Sequence, residues 1–423
     1  MRAAEGQWEV RLGDCREVMQ GLPANSIDAV VTDPPYEIGF LGRAWDASGI
    51  AYDQRVWAEA LRVAKPGAWL MAFGATRTFH RLAVAIEDAG WQVRDCLSWV
   101  YGSGFPKSQN LSKAMDRKLA NGPIDLGPMP GAKGRQAGLP EATNALNGHW
   151  NGVRVTAHAT PEAEQWEGWG TALKPAWEPI ILARKPLEGT LADNVLRHGT
   201  GAININGTSI PVDPNDPIND AVWTTRESRI NPGTVGFCTS NDVGDKRAAK
   251  PEGRGRWPAN FIHDGGPEVE ALLPVDSLGS VGRFFYCPKA SPEDREEGLG
   301  ELPLGLLQRK NPGGMVDSPE GQWEPVARAN WHPTVKPTNL MRYCCRLITP
   351  PNGLILDPFT GSGSTGKAAL LEGFRFVGAE ITPEYIPIIR GRLAWAVAKA
   401  AEASGIMPEV YIPGGGSQLG LFA

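Results

Sequence analysis

From residue 8 to residue 100, hydrophobic positions alternate between short strand-like runs and helical stripes. "WEVRLGD" and "SIDAVVTDPP" read as strands, and "YDQRVWAEALRVAKPG" reads as an amphipathic helix closing at Lys65–Pro66–Gly67. "AWLMAFGA" follows as a buried strand, and "TRTFHRLAVAIEDAG" as a second helix ended by Gly90. "WQVRDCLSWVYG" and "AWEPIILARKP" predict two more strands. Strands alternating with helices predict an α/β fold with a mostly parallel, doubly wound sheet.

The pattern is interrupted twice. Residues 104–173 are rich in Gly, Pro, Asn and polar residues, apart from a short basic helix near 109–120. Residues 188–330 are as irregular, with Pro/Gly clusters such as "PVDPNDPIND" and "SPEDREEGLG" and brief strand candidates such as "VGRFFYC". That is too long for a loop in a compact domain, so a separate recognition domain is expected there. Regular pattern returns with helix "TNLMRYCCRLIT", strand "GLILDPF", helix "GKAALLEG", strand "FRFVGAE" and a helix from about Pro383. The expected organisation is a core half at 1–187 carrying the 104–173 insertion, an inserted domain at 188–330, a second core half at 331–403 and a linker-like tail at 404–423.

Composition narrows the class only a little. The chain has 423 residues, long enough for two domains or a core with a large insertion, and its 42% hydrophobic and 21% charged residues are ordinary for a soluble protein. No apolar stretch long enough for a membrane span and no secretory h-region is present. The six cysteines show no C-x-x-C spacing, which favours a reduced, cytoplasmic setting with no structural zinc. A net charge of −5 leans against a nucleic-acid partner, although local placement of cations matters more than the total.

Two motifs carry chemistry. In "DPFTGSGSTGKAALLEG", Gly361, Gly363 and Gly366 spell G-x-G-x-x-G after an apolar run, with Glu380 about 20 residues on, as in a dinucleotide site. The same stretch through Lys367 spells most of a P-loop, but position 368 is Ala where a P-loop needs Ser or Thr for magnesium. Near the other end, Asp33-Pro34-Pro35-Tyr36 follows an apolar strand directly, at the edge of an open sheet where ligands bind. Two prolines fix the backbone and leave carbonyls without competing amide donors. A carboxylate, a free carbonyl and an aromatic ring held together suit methylation of an exocyclic amino group on a base. Acceptors at Asp33 and the Pro34 carbonyl would hold the amine, and Tyr36 would stack on a base taken out of the helix.

D-P-P-Y first, then "HPTVKP" at 332–337 and "DPFTGSGSTG" at 357–366, resembles the β-class DNA amino-methyltransferases, which occur in phage, restriction–modification and orphan settings. The resemblance covers roughly 1–110, 174–186 and 331–400. It implies a Rossmann-like class I methyltransferase sheet, circularly permuted so that the catalytic motif comes first and the cofactor motif last, with an inserted target-recognition domain. It implies S-adenosylmethionine as cofactor, with Gly361, Gly363 and Ser364 near its methionine part and Asp357 and Phe359 against methionine and adenosine. Glu380 would accept from the ribose hydroxyls, Asp14 would bind the adenine amine, and Thr334 and Lys336 would complete the site, Lys336 as a carboxylate partner. His332 is expected to shape the turn.

Within the family it resembles, Asp at the first motif position leans toward N6 of adenine, with N4 of cytosine the alternative. C5-cytosine chemistry is excluded, since it needs a cysteine after proline and the chain has only Cys287-Pro288. A NAD-dependent oxidoreductase, an NTP-binding module and a catalytically dead relative are the remaining alternatives. Phosphate contacts to double-stranded DNA are expected from Lys107 and Lys113, and from the 226–256 stretch, where seven basic residues face four acidic ones. The candidates there are Arg226, Arg229, Lys246, Arg247, Arg254 and Arg256. A homodimer is expected by analogy with relatives. The tail "GGGSQLGLFA" resembles the peptides that dock on a bacterial sliding clamp, through Gln418, Leu419, Leu421 and Phe422. Packing of that tail on the protein itself is the alternative.

Overall fold

The structure, a computed structural model, describes residues 6–39, 44–102, 108–128, 154–210, 257–264, 275–276, 279–280, 285–286, 289–300, 302–303, 305–306 and 327–404. Nine strands form one sheet: β1 (Trp8–Leu12), β2 (Ile27–Thr32), β3 (Ala64–Phe73), β4 (Gln92–Val100), β5 (Trp177–Arg184), β6 (Phe261–His263), β7 (Phe285–Tyr286), β8 (Leu354–Asp357) and β9 (Arg375–Glu380). Their order across the sheet is β1-β9-β8-β2-β3-β5-β4-β6-β7. Every neighbouring pair is parallel except the two that β5 makes, with β3 and with β4. The last-in-sequence strands β8 and β9 therefore lie inside the sheet, between β1 and β2. That is the permuted class I methyltransferase arrangement expected from the motif order.

Burial follows strand alternation. Ala29, Val31, Trp69, Met71 and Phe73 face one core, and Val30, Leu70 and Ala72 face the other. Side chains from α1 (Cys15–Gln20), α2 (Gln54–Val63) and α3 (Phe79–Asp88) fill the second core. The first is filled by α8 (Thr338–Ile348), α9 (Ser364–Leu371) and α10 (Ile386–Ser404). β2, with all six residues buried, reads as a central strand covered on both sides. In α2, Asp53 caps the first turn through Arg55 N, while Val56, Trp57, Ala60 and Val63 make the buried stripe. The helix stops at Val63, two to four residues before the expected close. Lys65 precedes a proline and is biased out of the helical region.

Parts of both insertions are among the described residues. Between β4 and β5, α4 (Leu111–Ala120) packs on α5 (Pro161–Gln165), and residues 124–128 pair antiparallel with 154–157. Buried Asp116 holds them together, accepting from Ala159 N at 3.1 Å and from Thr160 Oγ1 at 2.9 Å. Segment 188–330, expected to stand apart, joins the core in several of its described parts. α6 (Leu191–His198) packs on β3, with Asn194 Nδ2 donating to Pro66 O at 2.9 Å. β6 and β7 extend the sheet beyond β4, and α7 (Pro292–Glu296) packs against the α8–α10 side. β7 falls within the strand candidate "VGRFFYC", whereas three-residue β6 carries too little pattern to read in advance; β4 supplies the backbone partner of β6, and β6 that of β7. Among the described residues, no helix is long and apolar enough to cross a membrane.

Candidate active site

The strand order places the reacting edge. β8 and β2 are neighbours far apart in sequence, and such a switch in strand connection opens a crevice at the carboxyl ends. β2 ends at Thr32, directly before Asp33, and β8 ends at Asp357, directly before the glycine loop.

On the β2 side, Asp33 Oδ2 accepts from Lys336 Nζ at 2.8 Å. Lys336 also donates to Tyr36 Oη at 2.9 Å and pairs with Glu178 Oε2 at 3.3 Å. Tyr36 Oη in turn donates to Glu178 Oε2 at 2.8 Å, and Tyr101 Oη donates to Glu178 Oε1 at 3.0 Å. The Tyr36 carbonyl accepts from Thr78 Oγ1 at 2.9 Å, which fixes the end of the motif, while Pro34 is buried beneath it. Asp33 Oδ1 is buried and has no hydrogen-bond partner.

Charge in this cluster is unevenly shared. Burial raises the Asp33 carboxyl above the ordinary aspartate value, against the opposing pull of Lys336. Burial also works against Glu178, but Lys336 and the hydroxyls of Tyr36 and Tyr101 outweigh it and hold Glu178 below its usual value. The Lys336 ammonium, disfavoured by burial, is held charged by the two carboxylates. Lys336 was expected beside the cofactor; its ion pairs here are with the protein's own Asp33 and Glu178. Sequence reading missed Glu178. The available signal was a lone carboxylate opening an otherwise apolar strand, in "AWEPIILARKP".

On the β8 side, Gly361 and Gly363 have φ of +54° and +76°, the left-handed region that favours glycine. Gly363 caps α9, so the loop runs straight into a helix N-terminus. Gly361 N donates to Glu380 Oε2 at 2.7 Å, and Thr382 N to Glu380 Oε1 at 2.8 Å, so Glu380 braces the loop and keeps a second lone pair on each oxygen. Asp357 accepts from Thr32 Oγ1 at 2.6 Å and from Phe359 N at 3.0 Å; its burial pushes the carboxyl up to about 6. The half-buried Phe359 ring lies 6.3 Å from that of Trp57.

Three expected cofactor residues are engaged elsewhere. Ser364 Oγ lies 3.1 Å from Ser362 Oγ and accepts from buried Arg392 at 3.1 Å, so it faces the interior. Asp14 caps α1 through Arg16 N and pairs with the Arg16 guanidinium at 2.7 Å, which holds its carboxyl below the aspartate range. It does lie at the right edge, since Gly13 N donates to the Glu380 carbonyl at 2.8 Å. Thr334 is exposed, and its carbonyl bonds His332 Nδ1. Buried His332 is pushed down to about 3, so it is neutral, and its Nε2 would lie 3.1 Å from a Cβ at Gly361. Lys367 turns inward and pairs with Asp294 at 2.8 Å and with Glu297, which disposes of the P-loop reading. Of the expected DNA contacts only Lys113, on α4, is described. Lys107, Arg226, Arg229, Lys246, Arg247, Arg254, Arg256 and the tail from Gln418 to Phe422 lie outside the described residues.

A family model for N6/N4 methyltransferases, described as DNA methylase, matches residues 27–391. The chain is 26% identical over 200 residues to the type II methyltransferase M.HindIII of Haemophilus influenzae, a match covering 46% of this chain and 48% of the relative. It is 37% identical over 100 residues to the DNA adenine methyltransferase YhdJ of Escherichia coli, covering 24% of this chain and 34% of that one. The matched stretches thus span half or less of these curated relatives. Among solved structures, the PvuII DNA methyltransferase (cytosine-N4-specific) aligns over 94% of this chain and 93% of its own, at 12% identity and a TM-score of 0.41.

Family membership brings S-adenosylmethionine as the cofactor, and the donor set fits it. A zwitterionic amino acid with a nucleoside needs an anion site, a carboxylate for its ammonium, an acceptor for hydroxyls and an aromatic surface. The N-terminus of α9, Asp357, Glu380 and Phe359, at the neighbouring ends of β8 and β9, are the groups that would hold it. The two edge motifs and the match across most of the length lead to one statement: the chain belongs to the DNA methylase family of N6- and N4-amino-methyltransferases.

Proposed function

We propose that the chain transfers a methyl group from S-adenosylmethionine to the exocyclic N6 of adenine in double-stranded DNA, on a base turned out of the helix. The observation that carries the reading is the division of labour at Asp33. Its Oδ2 is held by Lys336, and its Oδ1 is buried with no partner. A buried acceptor left open is costly unless a ligand fills it, and an amino N–H is the donor that suits it. When bound, S-adenosylmethionine supplies an electrophilic methyl group on a sulfonium. Asp33 and the Pro34 carbonyl hold the two amine hydrogens, which turns the nitrogen lone pair out of conjugation with the ring. Tyr36 supports the base by stacking, its ring fixed by the bonds to Glu178 and Lys336. Asp357, Phe359, the glycine loop and Glu380 hold the donor.

The name of the YhdJ relative and the Asp at the first motif position both favour adenine. Cytosine N4 is the second reading, since the family model takes in N4- as well as N6-methyltransferases. Methylome sequencing of a host expressing only this methyltransferase separates the two, reporting 6-methyladenine or 4-methylcytosine together with the recognition sequence. Unmodified DNA from an expressing host, with purified protein also inactive, removes the proposal. The reading includes recognition of DNA by the 188–330 segment and a homodimer on DNA. Sedimentation showing only monomer, with and without DNA, removes the dimer.

A further inference from the structure

The stretch "SPEDREEGLG" entered as a Pro/Gly-rich interruption, yet its side chains make a dense set of contacts behind the site. Ser291 caps α7 through Asp294 N at 3.1 Å. From this one turn, Asp294 Oδ2 accepts from Thr338 N at 2.8 Å, and Oδ1 accepts from the Thr338 hydroxyl. Arg295 donates to the His332 carbonyl at 2.9 Å, and Glu296 accepts from Ala329 N at 3.0 Å and Asn330 N at 3.2 Å. The loop carrying "HPTVKP" is therefore strapped to α7 at its start, its middle and its end. The end is Thr338, two residues after Lys336, which holds Asp33.

The same carboxylate reaches the other half of the site. Asp294 Oδ1 accepts from Lys367 Nζ at 2.8 Å, and Lys367 is fully buried on the helix that follows the glycine loop. Glu297 also pairs with Lys367. Arg392, equally buried, lies 3.4 Å from the Asp294 carbonyl and donates to Ser362 O at 2.9 Å within the glycine loop. Buried ion pairs are costly to form and are poor evidence for stability alone, so their placement asks for another reason.

We propose that Asp294 is a positioning residue for methyl transfer, tying the backbone behind Lys336 to the helix behind the glycine loop so that acceptor and donor are held in register. This rests on the methyltransferase reading above. Direct attack needs the amine and the methyl carbon in line, and an error of about 1 Å can cost about 100-fold in rate. A shared anchor keeps the two halves from drifting apart, although residues 33 and 361 come from opposite ends of the chain. Asp294 acts on each side through a different neighbour, Thr338 toward Lys336 and Lys367 toward the loop.

The test separates the two sides in the full-length protein. S-adenosylmethionine affinity is read by calorimetry, which needs no turnover, and kcat and KM by methyl transfer to DNA carrying the mapped site. Thr338→Val removes only the hydroxyl bond to Asp294. It is expected to lower kcat about tenfold with cofactor Kd within about twofold of wild type, and Thr338→Ser is expected to restore kcat. Lys367→Met is expected to raise cofactor Kd about tenfold or more, with a smaller effect on turnover at saturation. Asp294→Asn is expected to show both effects. A lowered melting temperature for Asp294→Asn with unchanged kcat and Kd would overturn the proposal, as would identical kinetic patterns for the two side variants. If the Asp294 and Lys367 variants do not fold, Thr338→Val decides alone, and unchanged kcat counts against the proposal. Wild-type protein that binds the cofactor and methylates no DNA marks failure of the functional reading instead.

Discussion

Thr32 Oγ1 donates to Asp357 Oδ1 across 2.6 Å, between residues 325 positions apart. The bond joins the last residue of β2 to the last residue of β8, at the point where the two sequence halves of the core meet. One step beyond Thr32 lies Asp33, and two steps beyond Asp357 lies Phe359. The D-P-P-Y motif and the glycine loop are thus fixed to each other through their own strand ends.

Asp33→Ala is expected to abolish methyl transfer and leave S-adenosylmethionine binding largely intact. The loss should exceed about 3 kcal/mol in transition-state stabilisation, as for other preorganised polar groups. Single-turnover assays and calorimetry on the same preparation check both halves; near-normal turnover would remove the role assigned to Asp33.

For Tyr36, stacking alone would let Tyr36→Phe keep substantial activity while Tyr36→Ala loses base capture. The hydroxyl, however, donates to Glu178 and accepts from Lys336. Tyr36→Phe is therefore expected to fall between wild type and Tyr36→Ala, and Glu178→Gln to lower kcat with little change in cofactor affinity. Phe as damaged as Ala would contradict the stacking assignment.

Stability should carry opposite pH signatures from two buried groups. Asp357 has a folded pKa of about 6, above the value of about 3.9 in an unfolded chain, so its contribution is full below about 3.9 and is lost as pH rises through 6. Asp357→Asn should gain about 3 kcal/mol relative to wild type between pH 4 and pH 7. His332 has a folded pKa of about 3, below the unfolded value of about 6.5, so its contribution is present above 6.5 and is lost as pH falls toward 3. For His332→Asn the difference from wild type should run the other way. Denaturant titrations at several pH values measure both, and a flat difference would count against the burial argument.

Docking of the tail on a bacterial sliding clamp, proposed from its resemblance alone, predicts that the last twenty or so residues as a peptide bind a clamp at about tens of micromolar or tighter. Packing on the protein itself predicts no binding. In that first reading Leu419, Leu421 and Phe422 would be the apolar anchors and Gln418 the orienting amide. Fluorescence titration showing no binding, or binding unchanged by Leu421→Ala with Phe422→Ala, ends this idea.

The sheet and both motifs were legible because their signals are local. Strand alternation and helical stripes recur within ten residues, and D-P-P-Y and the glycine loop are contiguous strings. Glu178 was not legible, because its partner Tyr36 lies 142 positions away and nothing in "AWEPIIL" says which sheet edge that Glu meets. Lys336 was assigned to a carboxylate, but whose carboxylate depends on a crossing that only the fold sets. The inward turn of Lys367 was hidden for the same reason, since its partners Asp294 and Glu297 sit in a segment whose composition reads as irregular. The joining of the 188–330 segment to the sheet failed to show because β6 pairs with β4 across a long sequence gap, and β7 in turn pairs with β6.

β5 runs against every other strand of the sheet, so the chain leaves β4 at Val100 and re-enters β5 at Trp177 on the same edge. Both doorposts of that excursion stand beside Tyr101 and Glu178, within the acceptor cluster. Whatever sequence fills the interval is moored at two points beside Tyr101 and Glu178, and a change in its length or chemistry need not disturb the ladder beneath. A change of sequence in that interval is thus a graft made at the rim of the cluster around Glu178, with the β4–β5 ladder as its fixed base.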